Sequence, residues 1–202
     1  MTPLPDHYVT TIRRLLRFAV VWVMVGLFLG VWSTDVNKVV KYGDTARHYT
    51  AEERAQRKSP VEAELPPGLM WEAGIDLRLS HGHVILIGAV LPLCFAAALT
   101  VVHQAGGGEI GRGTLDAFFW MYAPGALAAM GLIIYKGWYL MSAVRHGNFN
   151  LANVHRDMFG SPAIKGLAYG LSHSVLAAAV GVIAVALWRS IGKAGRATPP
   201  GA

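Results

Sequence analysis

Four uncharged stretches set the limits on this chain: residues 18–33, 84–102, 117–135 and 166–188 contain no Asp, Glu, Lys or Arg. With small extensions at their ends, each is long enough to cross the roughly 30 Å of hydrocarbon in a bilayer as a helix. In hydrocarbon every backbone N–H and C=O must be paired within the segment, which a helix achieves and an open strand does not. The sequence therefore predicts an all-α fold, a four-helix transmembrane bundle with one long extracytoplasmic loop. A hydrophobic fraction of 53% against 15% charged residues agrees with this, and no soluble domain of comparable size is left over.

Residues 1–11, with Pro3 and Pro5, read as a loosely ordered tail, 12–192 as a single four-span membrane domain and 193–202 as a second tail. Spans are expected at about residues 12–32, 75–103, 114–144 and 163–189. The first could be mistaken for a signal peptide, because Arg13, Arg14 and Arg17 precede it. Bulky residues at Val31-Trp32-Ser33-Thr34-Asp35 offer no small-x-small cleavage pattern, so the expectation is a retained helix. Its Gly26-Leu27-Phe28-Leu29-Gly30 segment would let another helix approach closely.

The extracytoplasmic loop is expected over 33–74. Thr50-Ala51-Glu52-Glu53 fits a capping box for a short helix over 51–58, and Pro66-Pro67-Gly68 a turn. Gly106-Gly107-Gly108 and Gly111-Arg112-Gly113 read as a short flexible turn. They lack the preceding strand and following Lys-Ser/Thr of a phosphate-cradling loop. Arg145 to Pro162 reads as a loop carrying His146 and His155.

The formal charge of +6 reads as a topology signal, with no nucleic-acid role. Arg13, Arg14 and Arg17 precede the first span and Arg189, Lys193 and Arg196 follow the last. An even number of spans puts both groups on one side, which the positive-inside rule makes cytoplasmic. The expected location is thus a multi-pass position in a bacterial inner membrane, both termini cytoplasmic, with the lipid bilayer as the first partner. Cys94 is the only cysteine and can form no internal disulfide.

Chemistry concentrates in Ser80-His81-Gly82-His83-Val84 and in His173. A helix turns about 100° per residue, which places His81, Gly88, Pro92 and Leu99 on one face and His83, Val90, Cys94 and Val101 nearly opposite. Only one of the two histidines can then look into a bundle. His173 stands deeper in its span than any other histidine, with Gly166, Gly170, Ala177, Val180 and Ala184 on its face. Small residues there leave room for something flat and bulky, such as a porphyrin, or else form a tight Gly/Ala seam with a hydrogen-bonded histidine. Spans two and four run in the same direction, so His81 and His173 can reach a similar depth and serve as the axial pair of a low-spin haem b. Arg78, one turn outward from His81, is suited either to haem propionates or to snorkelling to the headgroups.

Ser80-His81-Gly82-His83-Val84 through Pro92 resembles the second helix of subunit I of the haem-copper oxidases, where a low-spin-haem histidine is followed by a hydrophobic run and a proline at this distance. His173-Ser174-Val175-Leu176-Ala177 resembles the tenth helix of that subunit, which carries the other low-spin-haem histidine. The resemblance implies one bis-histidine haem b on His81 and His173. It covers about thirty residues in two pieces. Where that family has the histidine of its oxygen-reducing haem this chain has Leu171, and it lacks the His-Pro-Glu-Val-Tyr segment. A reduced relative without the oxygen site follows, with no independent catalysis. The chain also resembles small four-helix membrane proteins with a His-x-His-hydrophobic-Gly pattern at a helix start.

The expected function is electron transfer by a haem b membrane protein, or a haem-bearing subunit of a respiratory complex, with other respiratory-chain subunits or a redox protein as partner. Two alternatives stand beside it. One is a non-haem metal-binding or assembly factor using His81, His83, His146 and His155. The other is a purely structural subunit. Hydrolase and transferase chemistry is disfavoured, since the spans hold no paired carboxylates and no activated nucleophile. Asp116 reads as a helix-start residue.

Overall fold

The computed structural model describes residues 3–42, 69–146, 148 and 150–194. The described residues form α1 (Asp6–Tyr42), α2 (Leu69–Ile85), a π-turn (Leu86–Val90), α3 (Leu91–Gln104), α4 (Arg112–Arg145), α5 (Leu151–Asp157) and α6 (Pro162–Ala194), with no strand among them. Four stretches are long and apolar enough to cross a membrane: Asp6–Thr34, Gly74–Gln104, Arg112–Val144 and Pro162–Lys193. The protein is therefore all-α with four membrane-spanning helices, α2, the π-turn and α3 together making the second.

Helix ends differ from the expected ones. α1 starts at Asp6, inside the expected tail, because the N–H groups of Tyr8 and Val9 close onto the Pro5 carbonyl at 2.9 and 3.1 Å. Tyr8 is buried, and its hydroxyl accepts the Ile110 N–H at 2.8 Å. Residues 33–42 and 69–74 of the expected loop are helical, since a nucleated helix propagates past its apolar stretch at little cost. The capping box, the helix over 51–58 and the Pro66-Pro67-Gly68 turn lie outside the described residues.

The chain divides into two compact units, one of Met1–Val23, Val84–Ala129 and Gly170–Ala202, the other of Met24–His83 and Met130–Tyr169. In the first unit, Phe95 meets Phe118 and Tyr122 edge-on, with ring centroids 5.2 and 5.7 Å apart, an arrangement that aligns positive ring edges with negative faces. Helix association in lipid gains little from hydrophobicity and depends on such packing and on polar contacts. Arg14 Nη1 lies 2.6 Å from Asp116 Oδ1 and Arg112 Nε 3.5 Å from Oδ2, so Asp116 ties α1 to α4 in addition to starting a helix.

The glycine-rich connection between α3 and α4 is held by hydrogen bonds, where the sequence suggested flexibility. Gly106 takes a φ of 78°, Gly107 N–H bonds Val102 O at 2.9 Å and Gly106 N–H bonds His103 O at 3.1 Å. This is the Schellman helix stop, which favours glycine at the left-handed position. Gly108 N–H then donates to Ser190 O at 2.9 Å, and Ser190 Oγ donates back to Gly108 O.

The π-turn follows from Pro92. Its ring clashes with the carbonyl four residues back and it has no N–H to donate. Leu91 N–H bonds Leu86 O, five residues back, which leaves Ile87 O without a helical donor because its π partner would be Pro92. The Tyr122 hydroxyl donates to that orphan oxygen. Just after it, Gly88 packs on Trp22: a Cβ there would lie 2.5 Å from Trp22 Cβ.

In the second unit, Leu77, Leu140, Met141 and Val144 form a core with Leu151, Val154 and Met158. The last three come from a segment expected to be a loop. Asn150 starts α5 by accepting the Asn153 N–H on Oδ1 at 3.1 Å, and the apolar positions of α5 recur every three to four residues, on one face. Gly137 lets α4 meet α2 at backbone distance, since a Cβ there would lie 2.7 Å from Leu77 N. Trp32 stacks on Trp138 with centroids 5.5 Å apart.

Candidate functional site

The face carrying His81 differs from the one the helical count predicts. Gly88, Pro92 and Leu99 are buried, and Val90, Cys94 and Val101 exposed, as expected. Before the π-turn, however, the buried positions are Gly74, Leu77, Ser80 and Val84, while His81, Gly82 and His83 are all exposed. A π-turn inserts one residue into the α-helical count, so the buried register moves from His81 to Ser80. Ser80 satisfies its hydroxyl locally, donating to Leu77 O at 2.7 Å.

His81 lies beside α1 in the second unit. A Cβ on Gly30 would be 3.9 Å from His81 Cδ2, so one glycine of the Gly26–Gly30 pair seats the flank of an imidazole. His83 Nδ1 lies 2.9 Å from Leu79 O. A carbonyl only accepts, so Nδ1 carries a proton, which leaves Nε2 as the nitrogen that could face a metal. Arg78 is exposed, one turn before His81 on α2.

His173 belongs to the first unit and stands well inside the fourth span, exposed, with Nδ1 3.3 Å from Ser172 Oγ. α6 buries only a narrow stripe that includes Ser172, Ala179, Ile183 and Ser190. Gly166, Gly170, Ala177 and Ala184 are exposed, and a Cβ built on Gly166 or Gly170 would meet nothing within 4 Å. The small residues around His173 thus form open surface, where a tight seam would show contacts. Open space beside an accessible imidazole fits a flat macrocycle bound through iron. Each of His81 and His173 offers one imidazole donor of the kind haem iron takes.

His146 Nδ1 lies 2.7 Å from Ser142 O, and the His155 carbonyl accepts from Lys165 Nζ at 3.1 Å. Among the described residues no three His, Cys, Asp or Glu side chains converge on a metal-sized site, so His81, His83, His146 and His155 do not assemble the non-haem centre considered above.

Two polar features escaped the sequence reading. Lys136 Nζ lies 2.9 Å from Asp76 Oδ2 and 3.1 Å from Oδ1, both side chains being mostly buried. Sixty residues separate them, so only the tertiary fold shows the pair; the one clue in the sequence is that each lies near the end of a span, where a lone charge is costly. His7 Nε2 bonds Ile110 O at 3.0 Å and lies 3.5 Å from a Glu109 carboxylate oxygen, at the edge of an open groove of about 480 Å³ between Glu109–Thr114 and the last turns of α6. Compared with protein-family models, with curated proteins and with solved structures, the chain matches none of them.

Proposed function

We propose that the protein is an integral membrane protein binding one haem b, with His81 and His173 as the iron ligands, and that it passes electrons alone or as the haem-bearing subunit of a respiratory complex. His173 carries the reading: its imidazole stands exposed well inside the fourth span, and Gly166 and Gly170 beside it leave space for a flat macrocycle. Further support comes from the two segments that resemble the low-spin-haem helices of haem-copper oxidase subunit I. The imidazoles of His81 and His173 would hold the iron, and bound haem would supply one-electron redox chemistry. Arg78 would face the propionates and His83 would stand beside the site.

The proposed setting is a bacterial inner membrane with both termini cytoplasmic. Arg13, Arg17, Arg189 and Lys193 support it: all four are exposed and belong to the unit that contains both terminal segments.

A pyridine-haemochrome assay on the purified chain tests the reading. About one haem b per chain is expected, with a split reduced-minus-oxidised α/β spectrum that His81→Ala or His173→Ala abolishes. Full haem in both variants would overturn the ligand assignment. A colourless protein from haem-replete cells would overturn the haem reading itself.

A further inference from the structure

The geometry points to a binding site for one anionic phospholipid in the groove between the α3–α4 connection and the end of α6. The groove, about 480 Å³ and open to the outside, changes character along its length. At one end Gly181 and Val185 form an apolar wall, Val185 being half exposed. At the other end, one and two helical turns beyond Val185, stand Arg189 and Lys193, both exposed. Residues four apart on a helix share a face, so both cations point the same way.

Among the described residues these charges are uncommitted. Arg14, Arg112, Lys136 and Arg156 each pair with an aspartate, whereas Arg189 and Lys193 enter no ion pair among the described residues. Among the described residues the one acid lining the groove is Glu109, mostly exposed and next to His7, which leaves a net positive rim. The rim is also built in place. Ser190 and Gly108 bond reciprocally, and the Lys193 stem lies so close over Gly108 that a Cβ there would sit 2.5 Å from Lys193 Cδ. Thr114 also lines the groove.

A phosphate on Arg189 and Lys193 would meet the charge, and only a ligand with a hydrocarbon tail would also cover Val185 and Gly181. Basic pockets at the ends of membrane helices hold acidic headgroups in this way. The ligand class is therefore a phospholipid of net negative charge, in preference to a free phosphate ion.

Native mass spectrometry of the full chain in detergent, titrated with phosphatidylglycerol or phosphatidylcholine, tests the site. Phosphatidylglycerol is expected to bind at least about tenfold more tightly, and Arg189→Gln/Lys193→Gln to remove that preference. Arg13→Gln/Arg17→Gln, which removes equally exposed cations outside the groove, is expected to keep it. Gly181→Leu, placed where a Cβ meets nothing within 4 Å, should weaken phosphatidylglycerol binding by filling the acyl wall. Millimolar inorganic phosphate should not displace the lipid. Equal binding of the two lipids, loss of preference in the α1 variant alone, or displacement by phosphate would each overturn the proposal.

Discussion

The Tyr122 hydroxyl donates its hydrogen bond to the backbone carbonyl of Ile87, thirty-five residues earlier in the chain. The bond serves a carbonyl that the π-turn has released, and it shows how a proline in one span is made tolerable by a side chain from the next.

Tyr122→Phe leaves a buried acceptor unmade, so a loss of about 1–3 kcal/mol is expected, read as a lower midpoint of thermal unfolding in detergent. Pro92→Ala restores an N–H that can reach Ile87 O in the same π geometry. In that background Tyr122→Phe should cost less. Equal costs in the two backgrounds would contradict the account of the released carbonyl.

The tautomer of His83 and the haem reading together make a sharper test of the two neighbouring histidines. If His81 is the ligand, His83→Ala retains the haem spectrum while His81→Ala loses it. The reverse outcome, read in the same pyridine-haemochrome assay, would move the ligand to His83, whose Nδ1–H is already anchored on Leu79 O.

Gly137 admits no side chain, because the nearest atoms to an added Cβ are backbone atoms of Leu77 at 2.7 and 2.8 Å. Backbone cannot rotate aside as a side chain would. Gly137→Ala should therefore destabilise by about 1–3 kcal/mol, whereas Gly131→Ala on the same helix, with nothing within 4 Å, should be close to neutral. Unfolding midpoints of the two variants, measured side by side, decide it.

Asp76 and Lys136 offer a double-variant cycle. Each single neutralisation, Asp76→Asn or Lys136→Met, strands a partly buried charge and should cost about 1–3 kcal/mol, below the value for a fully buried pair. The double variant should cost less than the sum of the two. Strict additivity in unfolding free energy would show that the pair is not coupled.

How much of this was legible depended on the distance over which the cause acts. The four spans were readable because an uncharged run in hydrocarbon has one structural solution. Helix α5 was legible in principle: Asn150 is a good N-cap, and Leu151, Val154 and Met158 repeat at helical spacing, but a segment this short between two long spans reads as connection. The start of α1 was not legible, since it depends on Tyr8 meeting Ile110, and neither was the Asp76–Lys136 pair. At the candidate site the identity of His81, His83 and His173 was plain, and their exposure was not. Pro92 warned of a local disturbance, but whether a proline kinks a helix or widens it to a π-turn depends on what can satisfy the freed carbonyl. Here that is Tyr122.

The π-turn is, in genetic terms, a single-codon insertion that the helix has absorbed. Upstream of it the second span is written in one frame and downstream in another. Deleting one residue between Leu86 and Val90 would remove the turn and keep both faces where they are, with Ser80 still buried and His81 still exposed. Straightening the turn at full length would instead exchange the two, bringing the imidazole of His81 into the buried place of Ser80.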